Sequence, residues 1–455
     1  MSLKPHPLLL MLALLGLAAA AAFWLQPGRA RDEGQPLSQT RLLEGQVEYL
    51  QGQLEALQEE NQRLSQLLAK LENRPPADPP NSPPFDAVGL SLKFMQLRQL
   101  PAVPMPCRSV PMAKLESLIL AWLQARLPAA TAQARMQAWQ AMGWVEQAAN
   151  PLPLQAALLA RSLGGWYQPQ EQSLWIAQDS SGSIDPSLAC ALAPQLRQLA
   201  TPSAAQPASS DLLMAQLGTL LGDAAYCRNR LELEQPQALP QTALPLEDPD
   251  HPFNSVEAPH LLREFTLQPM LWGLRRAQRI QEQGGWPALN ASSLQAPGSC
   301  ARLRDWPLSS APSLVASPPP AGLRSTSQDQ LGALTLNCLL RTEISDADAD
   351  ALSRGWIDDR LSLHPSDQDL PQACWRVQLQ SPAQAAACAK AAARIILRRP
   401  QGHLLREADK RQEFQIGTRH AAVCWQESPP LLIWAEGAQA AFVNQALPAT
   451  GTGQR

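Results

Sequence analysis

The side chains able to do acid–base or metal chemistry are thinly spread along this chain. Its six histidines, His6, His251, His260, His364, His403 and His420, form no HxxxH or HxxE pairing. Two ligands one helical turn apart are what a helix-borne zinc site requires, so a site made from these residues would depend wholly on the fold. The eight cysteines, Cys107, Cys190, Cys227, Cys300, Cys338, Cys374, Cys388 and Cys424, are even in number, which allows disulfides in an oxidising compartment without requiring them. Cys374 and Cys424 each precede a tryptophan on expected strands of one sheet and are expected to pair. A free Cys190 would be a nucleophile only with an activating base, and nothing nearby in sequence supplies one; a buried structural thiol is the alternative. The pair Asp358-Asp359 reads either as an acidic pair for catalysis or metal binding, or as a turn carboxylate capping the structure that follows.

The segments around Cys190 have an order of their own. A helix pattern over Leu154–Leu163 leads into GGWYQPQEQSLWIAQD (Gly164–Asp179), a turn and a short alternating strand, with Leu174 and Ile176 on one face, expected to form an edge near the cleft. Next comes DPSLACALAPQLRQLA (Asp185–Ala200), with Leu188, Leu192 and Leu196 at helical spacing, and a second apolar helix pattern ending in LLGDAAYCRNR (Leu220–Arg230). This order resembles the zincin-type neutral metallopeptidases, in which a Gly-aromatic-Tyr-Asp-Pro turn and a strand precede an HExxH helix, and a later helix carries Glu-Gly-Asp-Ala. The resemblance extends in order over roughly 130–440. It takes in PHLLREFTLQPMLWGLRRAQRIQEQGGWPALNASSLQAPGS (Pro259–Ser299), where Gly284 and Gly285 are expected to stop a large helix and Trp286 to cap the core, Trp306-Pro307 where the family has His-Pro, and LGALTLNCLLRTEISDADADALSRGWIDDRLSLH (Leu331–His364), with Gly355, Trp356, Asp358 and Asp359 carrying the last match.

Laid on the family pattern, Cys190 falls at the first histidine, Ala191 at the catalytic glutamate, Pro194 at the second histidine and Leu221 at the glutamate ligand. Such enzymes hold zinc between the histidines and deprotonate its water with the glutamate. Ala191 and Leu221 neither bind a cation nor move a proton, and Pro194 has no ring nitrogen to offer. The framework Gly222, Asp223, Ala224 remains. The resemblance therefore implies a non-catalytic homologue without a cofactor, whose old cleft binds a peptide or protein, including an active peptidase relative. Tyr167 and Trp175 are its candidate aromatic contacts, with a place in the core as their alternative. It also sets Cys190 and Cys227 on two helices that face each other, and a disulfide between them is expected.

The rest of the chain positions this head. At 455 residues it can bury two or three cores, and a net charge of −3 argues against a nucleic-acid partner. Pro7 to Leu25 is an apolar run free of charge, flanked by Lys4, Arg29 and Arg31, and is long enough to cross a bilayer. It reads as a signal anchor over 1–28; the alternative is a cleaved signal peptide ending in LAAAAAF, which would leave a secreted protein. Either way the bulk of the chain is expected outside the cytoplasm, periplasmic or extracellular. Within 40–72, Leu43, Leu50, Leu57, Leu64 and Leu71 take the d positions of a heptad, and Val47, Leu54, Asn61 and Leu68 the a positions. Leucine at d with one asparagine at a favours a parallel two-stranded coil, hence a homodimer. The spacer NRPPADPPNSPP (73–84) ends the helix, since proline cannot continue it.

The expected fold class is α+β: a mainly helical zincin-like domain over 85–307, a Ser/Pro-rich linker over 308–330, and a smaller C-terminal α+β domain over 331–445. Helices are expected at Ala129–Met142, Leu154–Leu163 and Pro382–Leu397, and strands at Cys374–Leu379, Ala421–Gln426 and Leu431–Ala435. Two function classes remain beside the binding protein: a hydrolase with a non-standard site, using the Cys190 thiol or a metal bound by distant residues, and a structural envelope spacer.

Overall fold

Short polar residues set half of the helix starts. Asp86, Asn150, Ser209, Ser299, Ser345 and Ser381 each stand at an N-cap with a side-chain oxygen accepting a backbone N–H two or three residues on. Each satisfies one of the donors that a helix leaves open at its first turn. The computed structural model describes residues 86–147, 149–178, 185–199, 209–235, 237, 239, 252–293, 297–305, 323–366 and 371–447. The expected anchor (1–28), coiled coil (40–72), spacer (73–84) and Trp306-Pro307 lie outside them. Among the described residues no helix is long and apolar enough to cross a membrane.

In order, the described chain runs α1 (Ala87–Leu97), β1 (Cys107–Val110), α2 (Met112–Gln124), α3 (Ala129–Ala141), α4 (Pro151–Leu163), β2 (Gly165–Gln168), β3 (Ser173–Ala177), α5 (Ser187–Leu199) and α6 (Ser210–Glu234). There follow α7 (His260–Ser293), α8 (Cys300–Arg304), β4 (Ser327–Asp329), α9 (Gly332–Leu340), α10 (Asp346–Arg354), β5 (Trp356–His364) and β6 (Gln372–Leu379). The last elements are α11 (Pro382–Leu397), β7 (Gly402–Ala408), β8 (Arg411–Ile416), β9 (Arg419–Glu427), β10 (Pro430–Gly437) and α12 (Ala440–Ala446). The protein is α+β, as expected.

Two sheets result. The small one has the order β1-β3-β2, with β1 parallel and β2 antiparallel to β3. The expected strand at Leu174 and Ile176 is therefore central rather than an edge, because Cys107–Val110 adds a strand from far upstream. The large sheet is antiparallel throughout, in the order β4-β5-β6-β10-β9-β8-β7. Alternation along β9 sends Ala421 and Val423 to the main core and Ala422 and Cys424 to a smaller cluster under Phe442 and Val443 of α12.

Three expectations of organisation change. The linker over 308–330 ends in a strand, since Ser327–Asp329 pairs with Leu361–Leu363. The head is not two separately cored domains: Phe85–Arg455 is one compact unit, and one hydrophobic core runs from Ala87 to Trp434. Trp144 joins the halves, meeting Trp375 and Trp434 edge-on with ring centroids 5.2 and 5.3 Å away. Finally, Gly284-Gly285 breaks the long helix without ending it. Gly285 takes φ 67°, the chain re-enters a helix at once, and Trp286 packs against Tyr226.

Candidate functional site

The region that the resemblance marks as chemical is built from β2, β3, α5 and α6. Gly164 ends α4 in the left-handed conformation at φ 63°, which turns the chain into β2. Gly165 lets that strand lie on α5, since a Cβ there would come within 3.0 Å of the Ala189 Cβ. α5 is buried over nearly its whole length, and α6, with 25 residues, is buried along most of its own. At the foot of the pair, Arg228 of α6 donates to Asp185 Oδ2 at 3.0 Å and to Ser187 Oγ at 2.9 Å. Asp185 in turn accepts the Ser187 N–H, so one ion pair fixes both the start of α5 and its position against α6.

All four family positions are interior. Cys190 and Ala191 are 0% exposed and Leu221 is 2% exposed; Pro194 is buried inside α5. Pro194 has no N–H, so the Cys190 carbonyl lacks its helical donor. The Cys190 thiol does not look toward α6. Its Sγ donates to the Ala87 carbonyl of α1 at 3.8 Å, and burial pushes its pKa far up, against a smaller lowering by Ser91. Burial and the carbonyl beside it favour the protonated thiol, whereas a nucleophile or a metal ligand needs the thiolate. Among the described residues no three His, Cys, Asp or Glu side chains are grouped to hold a metal ion.

Tyr167 and Trp175 offer no surface to a ligand. They are 2% and 5% exposed, Trp175 donates Nε1–H to Ser173 Oγ, and Lys114 covers its ring at 4.7 Å. The alternating pattern of β3 that suggested a cleft edge instead has its apolar positions packed between helices.

Both expected disulfides are absent, all eight cysteines being free thiols. Cys374 pairs with Ala435 and Cys424 with Ile433, so β10 lies between them. Two strand spacings put them roughly 10 Å apart, beyond the reach of a disulfide. Cys190 and Cys227 part because each turns toward α1. Cys227 Sγ donates to Asp223 Oδ1 at 3.5 Å and lies 3.7 Å from Arg98 Nη1, and burial pushes its pKa far up.

That last contact belongs to a group that the sequence did not bring together. Arg98, at the C-cap of α1, donates from Nη1 and Nη2 to the two oxygens of Asp223 at 3.2 and 3.0 Å. Its Nε donates to Asn290 Oδ1 at 3.0 Å, and Asn290 Nδ2 returns a bond to the Arg98 carbonyl at 2.9 Å. Ser293 Oγ also donates to Asp223. Burial disfavours the guanidinium, but Asp223 more than offsets this and raises the Arg98 pKa. Asp223 is the aspartate of the retained Gly222-Asp223-Ala224. One residue past Pro194, Gln195 is 1% exposed, and among the described residues neither atom of its amide has a partner.

Asp359 caps a helix, and Asp358 holds a neighbouring glutamine side chain. Asp359 accepts Leu331 N–H and Gly332 N–H at the start of α9, and the indole N–H groups of Trp356 and Trp375. The capped helix precedes the pair in sequence rather than following it. Asp358 accepts Gln330 Nε2 at 2.7 Å.

No family model matches the chain, and neither the curated proteins nor the solved structures contain a match to it.

Proposed function

We propose that this chain is a membrane-tethered, non-catalytic relative of the zincin-type peptidases that binds a peptide or protein partner outside the cytoplasm. One observation carries the reading. The helices α5 and α6 pack side by side behind a β-hairpin, in the order the resemblance implies, while the positions where that family does its chemistry hold Cys190, Ala191, Pro194 and Leu221, all buried among apolar side chains. The retained Asp223 supports the fold, by pairing with Arg98. In this reading the N-terminal segment anchors the chain, the heptad segment makes it a dimer, and the spacer holds the head away from the bilayer. The partner is a peptide or protein, an active peptidase relative included.

A hydrolase built on the Cys190 thiol has less support. The thiol is fully buried, its pKa is pushed up, and no base lies beside it. Elemental analysis of the purified chain, prepared without chelator and paired with a general protease assay, tests the proposal. We expect no stoichiometric zinc and no cleavage. One zinc per chain, or turnover that follows the protein through purification, would return the chain to the enzymes.

A further inference from the structure

The seven-stranded sheet finishes differently at its two edges. β4 closes one with three residues, and β7 forms the other with seven. A long open edge is normally blunted by lysine, proline or a charge that points inward. GHLLREA has no lysine or proline, and the residues from His403 to Glu407 are exposed in succession. Its bulge falls between Leu404 and Arg406, so the extra residue is the apolar Leu405. Among the described residues five large apolar side chains are left exposed, and three of them gather here: Leu404, Leu405 and Leu397, which ends α11 just before the turn into β7. The backbone of 403–408 bonds only to β8 among the described residues, so the N–H and C=O groups on its outer side are open to another strand.

We propose that β7 pairs with β7 of a second copy of this chain, antiparallel about Leu405, so that the large sheets of two heads join into one. The strand is self-complementary in that register: the leucines meet at the axis, and His403 lies opposite Glu407 of the second copy on both sides of it. Two identical strands paired antiparallel are related by a twofold axis, which is also the symmetry of the parallel coil proposed for 40–72. The inference rests on that dimer reading for its local concentration. The twelve residues of the spacer (73–84) span at most about 40 Å, so two heads on one coil meet at an effective concentration on the order of millimolar.

The test is disulfide trapping of the full chain in detergent micelles, with Cys107→Ser removing the exposed native thiol. Leu405→Cys sets identical thiols against each other across the axis, at the Cα spacing of about 5 Å that paired strands share and a disulfide accepts. Leu405 is 50% exposed, so the substitution leaves the fold intact. Leu233→Cys on α6, 53% exposed, measures chance collision between tethered heads. Leu405→Cys should cross-link about tenfold or more faster than Leu233→Cys. Equal rates would overturn the pairing. A Leu405→Cys thiol that is also slow toward a small alkylating reagent would show the edge covered by some other strand, and would overturn it too. Sedimentation of the same chains separates this inference from the reading it rests on. A dimer without selective trapping removes the strand pairing and leaves the coil; a monomer removes the coil, and selective trapping at Leu405 then still upholds the pairing.

Discussion

At the scale of single residues, the centre of α5 is given over to packing, with one exception. Ala191 and Leu221 fill space, Pro194 ends a hydrogen bond, and Cys190 behaves as a small apolar group. Gln195 is the exception. Its amide has two donors and an acceptor, all three buried and none of them bonded among the described residues. Leaving such a group unsatisfied costs about 1 to 3 kcal/mol, whereas an apolar group of similar shape costs nothing in hydrogen bonds. Gln195→Met should therefore raise the free energy of unfolding by about 1 kcal/mol or more, read as a higher urea midpoint at unchanged slope. A lower midpoint would mean that the amide has a partner in solution. The buried ion pair of Arg98 and Asp223, by contrast, was beyond reading from the sequence, because its members stand 125 residues apart and neither sits in a pattern that names the other.

At the scale of elements, legibility followed the strength of local signals. The helix at Pro382–Leu397 was expected with the ends it has, since Ser381 caps it, Pro382 is preorganised for the first turn and the alanine-rich run has high helix propensity. The edge strand β7 and its neighbour β8 were missed for the opposite reason. Most of their side chains are half-exposed or exposed, so no buried face leaves an alternating pattern in GHLLREA or RQEFQI. The retained Gly222 acquires a physical role at this scale. α6 crosses α7 with backbones nearly in contact: a Cβ at Gly222 would lie 2.1 Å from the Gly273 carbonyl carbon, and one at Gly273 would lie 1.8 Å from the Gly218 oxygen. Three glycines thus set the spacing of the two longest helices, a requirement visible only once both are in place. Gly222→Ala must push the helices apart and should destabilise the head by about 1 to 3 kcal/mol or more, although alanine is the better helix former. A urea titration matching the parent chain would show that the crossing yields without strain.

At the scale of the whole molecule, three buried aspartates each cap a helix of another element, and one of them, Asp329, joins the two halves of the head. Asp211 of α6 accepts the Cys300 N–H at the start of α8, Asp329 of β4 accepts the Ser210 N–H at the start of α6, and Asp359 of β5 accepts two N–H groups at the start of α9. The positive ends of three helices thus meet buried carboxylates. Arg135 faces them through Ser210, its own pKa lowered to about 10 by burial. Asp211 is the least compensated, since its Oδ2 has no partner among the described residues; burial first, and then the charge of Asp359, push its pKa up to about 7. Burial likewise raises Asp359 to about 6, and moves Asp329 upward. A carboxyl group whose pKa is raised by folding binds its proton more tightly in the native state, so its stabilising contribution is whole below about pH 4 and is lost as the pH climbs through its folded value. Stability assigned to Asp211 should accordingly fall between about pH 4 and 7. His364 works in the other direction: burial lowers its pKa, so its contribution holds above about pH 6.5 and is lost as the pH drops. The two trends overlap in the unaltered chain, and the difference between two chains separates them. Asp211→Asn keeps an oxygen for the Cys300 N–H but has no charge to bury. Relative to the parent it should gain on the order of a few kcal/mol between pH 5 and pH 8 in urea unfolding. A constant difference between the two chains across that range would mean that Asp211 is ionised throughout, and that its cap on α8 is insensitive to protons.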